Sequence, residues 1–121
     1  MGVSDGYIDL LKDLLADLAP ISARRMFSGV GLFAHGVMFA IVIDDALYLK
    51  CDDENRGAFE AEGLAAFSYN RNGRMVALSY WRAPERLLDD SDEMLSWASR
   101  ALAVARRTSS KRPRNKRRKA K

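Results

Sequence analysis

Two of the side chains that most often take part in catalysis occur once each in this sequence, as His35 and Cys51. A histidine-based zinc site or a Ser-His-Asp triad needs more partners than one histidine supplies. Asp52, Asp53 and Glu54 follow Cys51 directly, and neighbouring carboxylates raise the pKa of a thiol and so reduce the nucleophilic thiolate. We therefore predict no catalytic residue, and we interpret Cys51 as a small residue at the end of a strand.

Two clusters of carboxylates, Asp44-Asp45 and Asp52-Asp53-Glu54, are the candidates for holding a hard cation. The same residue types also favour a turn between strands and the first turn of a helix, and this explains both clusters without a metal. We expect no metal ion, no cofactor and no enzymatic activity.

The strongest indication of binding is a run of positive charge that begins at Arg106. The sequence contains 20 basic and 16 acidic residues, and ten of the basic ones but none of the acidic ones lie within residues 106–121. Residues 1–105 therefore hold ten basic and 16 acidic residues, a net charge of −6. Such asymmetry points to a polyanionic partner, either nucleic acid or an acidic protein face, or to contact between this segment and its own body.

We call residues 106–121 the basic tail and expect it to be disordered when free, because it has little apolar surface to offset the entropy lost on ordering. Its charges would displace counterions from nucleic acid and give salt-sensitive, nonspecific binding. The predicted nucleic-acid contacts are Arg106, Arg107, Lys111, Arg112, Arg114, Lys116, Arg117, Arg118, Lys119 and Lys121. The other interpretation is a solubilising tail that neutralises the acidic body, and electrostatics alone does not separate the two.

A second candidate surface for a ligand or partner surrounds Trp81 and Arg82. A tryptophan beside an arginine can stack on a base or another ring, and with Arg25 the pair would line a pocket in a small-molecule-binding domain or an unrecognised enzyme. The structural interpretation is that Trp81 covers the last helix and that Arg82 pairs with a carboxylate. A third hypothesis is a homodimer formed through an exposed sheet edge, with the basic tail only a solubiliser.

The elements that must position these residues form an α+β pattern. Apolar residues at three- and four-residue steps predict helices over 5–19, 52–62 and from Ser91 to 105. Extended runs predict strands over 31–34, 37–43 and 47–50, after a turn at 29–31, and Asn72-Gly73 predicts a type I′ hairpin. Connections this short exclude parallel crossovers, so we predict an antiparallel sheet with helices packed on one face, in the order α-β-β-β-α-β-β-α. The predicted domain covers residues 1–105.

The N-terminal residues show no signal-peptide pattern, and no apolar run reaches the length of a membrane span. The single cysteine excludes an intrachain disulfide, which fits a reducing compartment. We expect a cytoplasmic protein that makes no membrane contact and is a monomer or a weak homodimer.

Several segments together resemble the N-terminal domain of the TfoX/Sxy family of competence regulators. The matching segments, which run from about Tyr7 to Ala105, are Arg25-Met26-Phe27-Ser28-Gly29-Val30-Gly31-Leu32-Phe33, Gly36-Val37-Met38-Phe39-Ala40, Leu47-Tyr48-Leu49-Lys50, Asp53-Glu54-Asn55-Arg56, Phe59, Gly63, Phe67-Ser68-Tyr69 and Ser79-Tyr80-Trp81-Arg82-Ala83-Pro84-Glu85. Each segment alone is weak, but their order and spacing are specific.

This resemblance implies an antiparallel α+β domain without established catalytic residues. It also implies a regulatory role, since longer members act as positive regulators of DNA-uptake genes in concert with a global transcription factor. Those members carry a second, C-terminal domain where this sequence has the basic tail. We therefore expect a stand-alone regulatory or interaction module, with a protein partner that belongs to the transcription machinery.

Overall fold

Six antiparallel strands form one sheet in the part of the chain that the computed structural model describes, residues 3–26 and 29–111. The strands lie side by side in the order β1-β2-β3-β4-β6-β5, so that β1 and β5 are the two edges. Their bounds are Ser22–Met26 (β1), Gly29–Ala34 (β2), Val37–Ile43 (β3), Ala46–Lys50 (β4), Ala66–Arg71 (β5) and Arg74–Arg82 (β6). The predicted antiparallel α+β class is confirmed, and the sheet has one strand more than predicted, at Ser22–Met26.

Three two-residue turns join β2 to β3, β3 to β4 and β5 to β6. Both residues of each turn have positive φ, as a type I′ turn requires: 51° and 79° at His35-Gly36, 52° and 56° at Asp44-Asp45, and 55° and 84° at Asn72-Gly73. The predicted hairpin at Asn72-Gly73 is confirmed. Asp44-Asp45 is also a turn, and the carboxylate of Asp45 accepts a 2.9 Å hydrogen bond from the backbone N–H of Ser4.

The turn predicted at residues 29–31 is wrong, because these residues belong to β2. Gly31 allows side chains of neighbouring strands to pack closely over it, and it does not change the direction of the chain. A Cβ at Gly31 would lie 2.6 Å from the sulfur of Met38 and 3.0 Å from the terminal methyl of Met26. The missing side chain therefore leaves room for two methionines to cross this position of the sheet.

Within residues 3–26 and 29–111, three α-helices and one short 3₁₀ helix accompany the sheet. Their bounds are Asp5–Leu14 (α1), Arg56–Ala61 (α2), Glu85–Asp89 (3₁₀) and Ser91–Lys111 (α3). Ser4 caps α1 by accepting a 3.2 Å hydrogen bond from the N–H of Tyr7. Asp90 caps α3 by accepting from the N–H of Glu93 at 3.0 Å, and Ser91, where the helix was predicted to begin, is its first residue.

The loop from Cys51 to Asn55 delays the start of α2, which was predicted at Asp52. The buried amide of Asn55 accepts from the N–H of Asp52 at 2.8 Å and donates to the carbonyl of Lys50 at 3.0 Å. The carboxylate of Asp52 accepts from the N–H of Glu54 at 2.9 Å. These bonds hold a turn, so the acidic cluster is a loop before the helix and not its first turn.

The hydrophobic core lies between the helices and one face of the sheet. Alternate residues of the strands, among them Leu32, Val42 and Leu49, face fully buried residues of the helices such as Leu11 and Met94. Removing apolar surface of this extent from water is the main term that stabilises such a fold. The other sheet face carries no helix in the described chain.

α3 continues six residues past the predicted end of the domain at Ala105. Residues 106–111 are thus helical and not part of a disordered tail. Leu102, Val104 and Ala105 are buried and hold the preceding turns against the body, and within the extension Arg107 pairs with Asp52. Residues 112–121 of the basic tail lie outside the described residues.

Candidate functional site

The end of α3 brings one charge of the basic tail, that of Arg107, against the acidic body. The guanidinium of Arg107 donates a 2.8 Å hydrogen bond to the carboxylate of Asp52 and lies 3.7 Å from that of Glu54. Burial opposes ionisation of Asp52, but the hydrogen bonds from Arg107 and from the N–H of Glu54 outweigh it and lower the pKa of that carboxyl. Arg107 is therefore engaged by the body.

The other predicted nucleic-acid contacts have different settings. Arg106, one residue earlier on α3, is exposed to solvent, and Lys111 is the last helical residue. The remaining seven lie outside the described residues: Arg112, Arg114, Lys116, Arg117, Arg118, Lys119 and Lys121. Their role in binding stays a prediction.

The predicted surface around Arg25, Trp81 and Arg82 is not one site. Arg25 lies on the edge strand β1 and is 3.5 Å from the carboxylate of Asp5, whereas the other two lie on β6. Three strands separate β1 from β6, which places them roughly 19 Å apart at the usual strand spacing. The structure therefore does not bring Arg25 to the other two residues.

Trp81 and Arg82 have structural partners. The indole of Trp81 packs against Phe59, whose ring lies 6.0 Å away and also meets Trp97 edge-on at 5.0 Å. Arg82 pairs with Glu85 at 3.1 Å. The cavity beside Arg82 measures about 30 Å³, room for a water molecule and not for a drug-sized ligand. This favours the structural interpretation of both residues over a small-molecule pocket.

Cys51 and His35, the two side chains considered for catalysis, lie in different environments. Cys51 is buried, and burial raises the pKa of its thiol to about 11. His35 is exposed in the turn between β2 and β3. Within residues 3–26 and 29–111, no three His, Cys, Asp or Glu side chains are grouped so as to hold a metal ion. None of the described helices is long and apolar enough to cross a membrane.

A concave surface lies on the helix-free face of the sheet, and sequence reasoning missed it. We call it the sheet groove. Its volume is about 520 Å³. Its lining is mainly apolar and aromatic, from Met26, Met38, Ile41, Ile43, Phe67, Tyr69, Leu78 and Tyr80. One available signal was the uninterrupted apolar run of β3, which supplies Ala40 and Val42 to the core and Ile41 and Ile43 to the groove.

The β5–β6 hairpin forms one wall of the sheet groove. The ring of Phe67 meets Tyr48 edge-on at 5.3 Å and stacks on Tyr69 at 6.3 Å. Tyr80 donates from its hydroxyl to the carbonyl of Met38 at 3.1 Å, a bond that links β6 to β3 across β4. The aromatic wall is thus held by contacts with the central strands.

Charge divides the described body into two layers. The six strands contain no aspartate or glutamate, and their basic residues are Arg24, Arg25, Lys50, Arg71, Arg74 and Arg82. The helices and loops hold the carboxylates, including the exposed Asp5, Asp9 and Asp13 of α1. The net negative charge of the body is therefore confined to the helix layer and the loops.

Comparison with known proteins identifies the family of this chain. The family model of the TfoX N-terminal domain matches residues 13–105. The chain belongs to that family. Similar proteins include the DNA transformation protein TfoX1 of Aliivibrio fischeri, 29% identical over 89 residues, and Protein Sxy of Escherichia coli, 27% identical over 94 residues.

The matches to these two relatives cover most of this chain but less than half of each relative. They span 74% and 78% of this chain, and 43% and 45% of the relatives, respectively. The resemblance read from the sequence is thus confirmed for the TfoX N-terminal domain. Residues 106–121 lie beyond the matched region.

Proposed function

We propose that this chain is a non-enzymatic regulatory module that works by binding, in a bacterial cytoplasm and in a process related to DNA transformation. Membership of the TfoX N-terminal domain family carries this proposal. The name of the Aliivibrio fischeri relative, a DNA transformation protein, supports the process. The folded body would contact a protein partner of the transcription machinery, and the basic tail would add affinity for nucleic acid.

The charge distribution supports the part played by the basic tail. Ten of its 16 residues are basic, and of the two whose side chains the structure describes, Arg106 and Arg107, Arg107 pairs with carboxylates of the body. Cationic side chains near phosphates release condensed counterions, and this gives affinity that falls steeply with salt and depends little on sequence. The exposure of Arg106, beside the paired Arg107, supports such a contact.

The test measures binding of the full-length chain to a fluorescent DNA duplex at several salt concentrations. In a variant, the seven basic residues of 112–121 are replaced by glutamine. We expect the slope of log K against the logarithm of salt concentration to become less negative by at most about six, since each phosphate contact contributes roughly 0.9 to that slope. The matched control is Arg100→Gln, which removes an exposed charge from α3 and leaves the tail intact.

Equal binding by the native chain and the glutamine variant would refute the role of the tail. The regulatory proposal has a separate test, in which a chromosomal deletion is scored for transcript levels of the DNA-uptake genes in the source bacterium. Complementation by the native chain and by the glutamine variant separates regulation from nucleic-acid affinity. Unchanged transcripts after deletion would refute the regulatory role.

A further inference from the structure

The sheet groove has the chemistry of a binding surface for a particular kind of peptide. We propose that it binds an acidic amphipathic helix of a partner protein, whose apolar side chains enter the groove while its carboxylates meet the basic rim. This inference rests on the proposed binding function and names the partner class of the folded body.

The floor and walls of the groove favour an apolar occupant. Met26 and Met38 cross the position of Gly31, and unbranched methionines adapt to differently shaped apolar side chains. Ile41, Ile43 and Leu78 add apolar surface beside them. Helix recognition in a groove commonly uses anchors at positions i, i+3, i+4 and i+7 against such a lining. A helix is also the element that ordinarily covers a sheet face.

The groove face of the sheet carries three arginines, Arg24, Arg71 and Arg74, which we call the basic rim. Arg24 pairs in register with Gly31, and its guanidinium lies 5.4 Å from the centre of the Phe33 ring, so it is on the groove face. Side chains alternate along a strand, which puts Arg71 on the face of Tyr69, and Arg74 pairs in register with Arg71 and so shares that face. All three arginines are exposed, and no described carboxylate lies within 4 Å of their guanidinium groups.

Charge complementarity decides between the occupants. The segment 112–121 of this chain is strongly basic, and a basic rim repels it. A second copy that stacks its own groove face would bring the same arginines together. The described surface outside the groove exposes only Leu10 and Met75 as large hydrophobics, so another face of a second copy lacks a row of anchors. An acidic amphipathic helix from another protein complements both the apolar lining and the basic rim.

The experiment uses the full-length chain with the seven basic residues of 112–121 replaced by glutamine, because the native tail would attract any acidic peptide. The probe is a synthetic helical peptide of about 15 residues, the length at which isolated helices become marginally stable. It carries leucine on one face and glutamate on the other. A twin peptide carries lysine in place of glutamate. Binding is followed by NMR of ¹³C-labelled methionine methyl groups.

We expect the glutamate peptide to bind at least about tenfold more tightly than its lysine twin. The methyl signals of Met26 and Met38 should shift, whereas those of the exposed Met75 and of Met94 in the core should stay in place. The triple variant Arg24→Glu, Arg71→Glu, Arg74→Glu should reverse the preference for the two peptides. Its matched control, Arg100→Glu on α3, should retain it.

Equal affinity for the two peptides, or binding without shifts at Met26 and Met38, would overturn the proposal. A single-stranded thymidine oligonucleotide that shifts these methyl groups at lower concentration than the glutamate peptide would also overturn it and make the groove a nucleic-acid surface. These outcomes are independent of the transcript measurement. The groove proposal can therefore fail while the regulatory function holds.

Discussion

The guanidinium of Arg107 and the carboxylate of Asp52 form a 2.8 Å hydrogen bond between residues that lie 55 positions apart in the sequence. The bond fastens the end of α3 to the loop that follows β4, and Glu54 adds a second carboxylate at 3.7 Å. An ion-pair contact therefore holds the first part of the basic tail against the body. This contact divides the predicted tail into a helical part attached to the body and a part beyond Lys111.

The first prediction concerns this attachment. Replacing Arg107 with glutamine should speed hydrogen exchange of the backbone amides from Ala105 to Thr108, because the last turns of α3 lose their link to Asp52. Asp52→Asn should have the same effect on those amides. The control Arg106→Gln alters a neighbouring exposed arginine on the same helix and should leave the exchange rates unchanged. Equal exchange in the native chain and in Arg107→Gln would show that the pair does not hold the helix end.

The second prediction concerns Arg86, which joins two glutamates. Its guanidinium donates to both carboxylate oxygens of Glu62, at 2.6 and 2.7 Å, and to both of Glu93, at 2.9 and 2.6 Å. These hydrogen bonds hold the pKa of Glu62 and of Glu93 below the usual range. A lowered folded pKa stabilises the fold above the unfolded pKa, and this stabilisation disappears as the pH falls through the folded value.

The measurement compares urea unfolding midpoints of the native chain and of Arg86→Gln. The variant should be less stable at pH 7, and the difference should shrink towards about pH 3, below the ordinary glutamate pKa of about 4.3. Arg100→Gln removes a charge from α3 that hydrogen-bonds only to a serine hydroxyl within the described chain, and it serves as the control. A difference between native and Arg86→Gln that stays constant with pH would contradict the role of the two carboxylates.

The third prediction concerns the reactivity of Cys51. Burial raises the pKa of its thiol to about 11, so at pH 8 it holds about two orders of magnitude less thiolate than a thiol of pKa about 8.5. Iodoacetamide should therefore label the folded chain far more slowly than the urea-unfolded chain, as mass spectrometry over time would record. Similar labelling rates for the two states would mean that Cys51 is accessible and reactive.

The sequence predicted features that follow from local chemistry. Positive φ at Asn72-Gly73 depends on the residues themselves and their immediate neighbours, and it is present. Residues 29–31 were misread as a turn because the reason for glycine there is contact with residues of neighbouring strands. Only the pairing of β2 with its neighbours reveals that Met26 and Met38 occupy the space over Gly31.

The candidate site depended even more on topology. Arg25, Trp81 and Arg82 were grouped by residue type, whereas the strand order places Arg25 far from the other two. The sheet groove combines β1 and β3 with the β5–β6 hairpin, and no local pattern fixes how a hairpin lies against distant strands. The basic residues of the strands were visible in the sequence. That they form a basic layer opposite the acidic helices follows only because all six strands share one sheet.

The last prediction uses two glycines with opposite requirements. Gly73 has φ of 84° in the β5–β6 turn, and alanine there should destabilise the fold by about 1–2 kcal/mol, the cost of left-handed backbone for a residue with a Cβ. Gly57 lies within α2, and a Cβ there would meet no atom within 4 Å. Gly57→Ala should therefore stabilise the fold by about 0.4–1 kcal/mol, because alanine restricts the unfolded chain and favours a helix. Urea unfolding at neutral pH measures both variants, and a change of the same sign in the two would contradict the backbone assignment of one of these glycines.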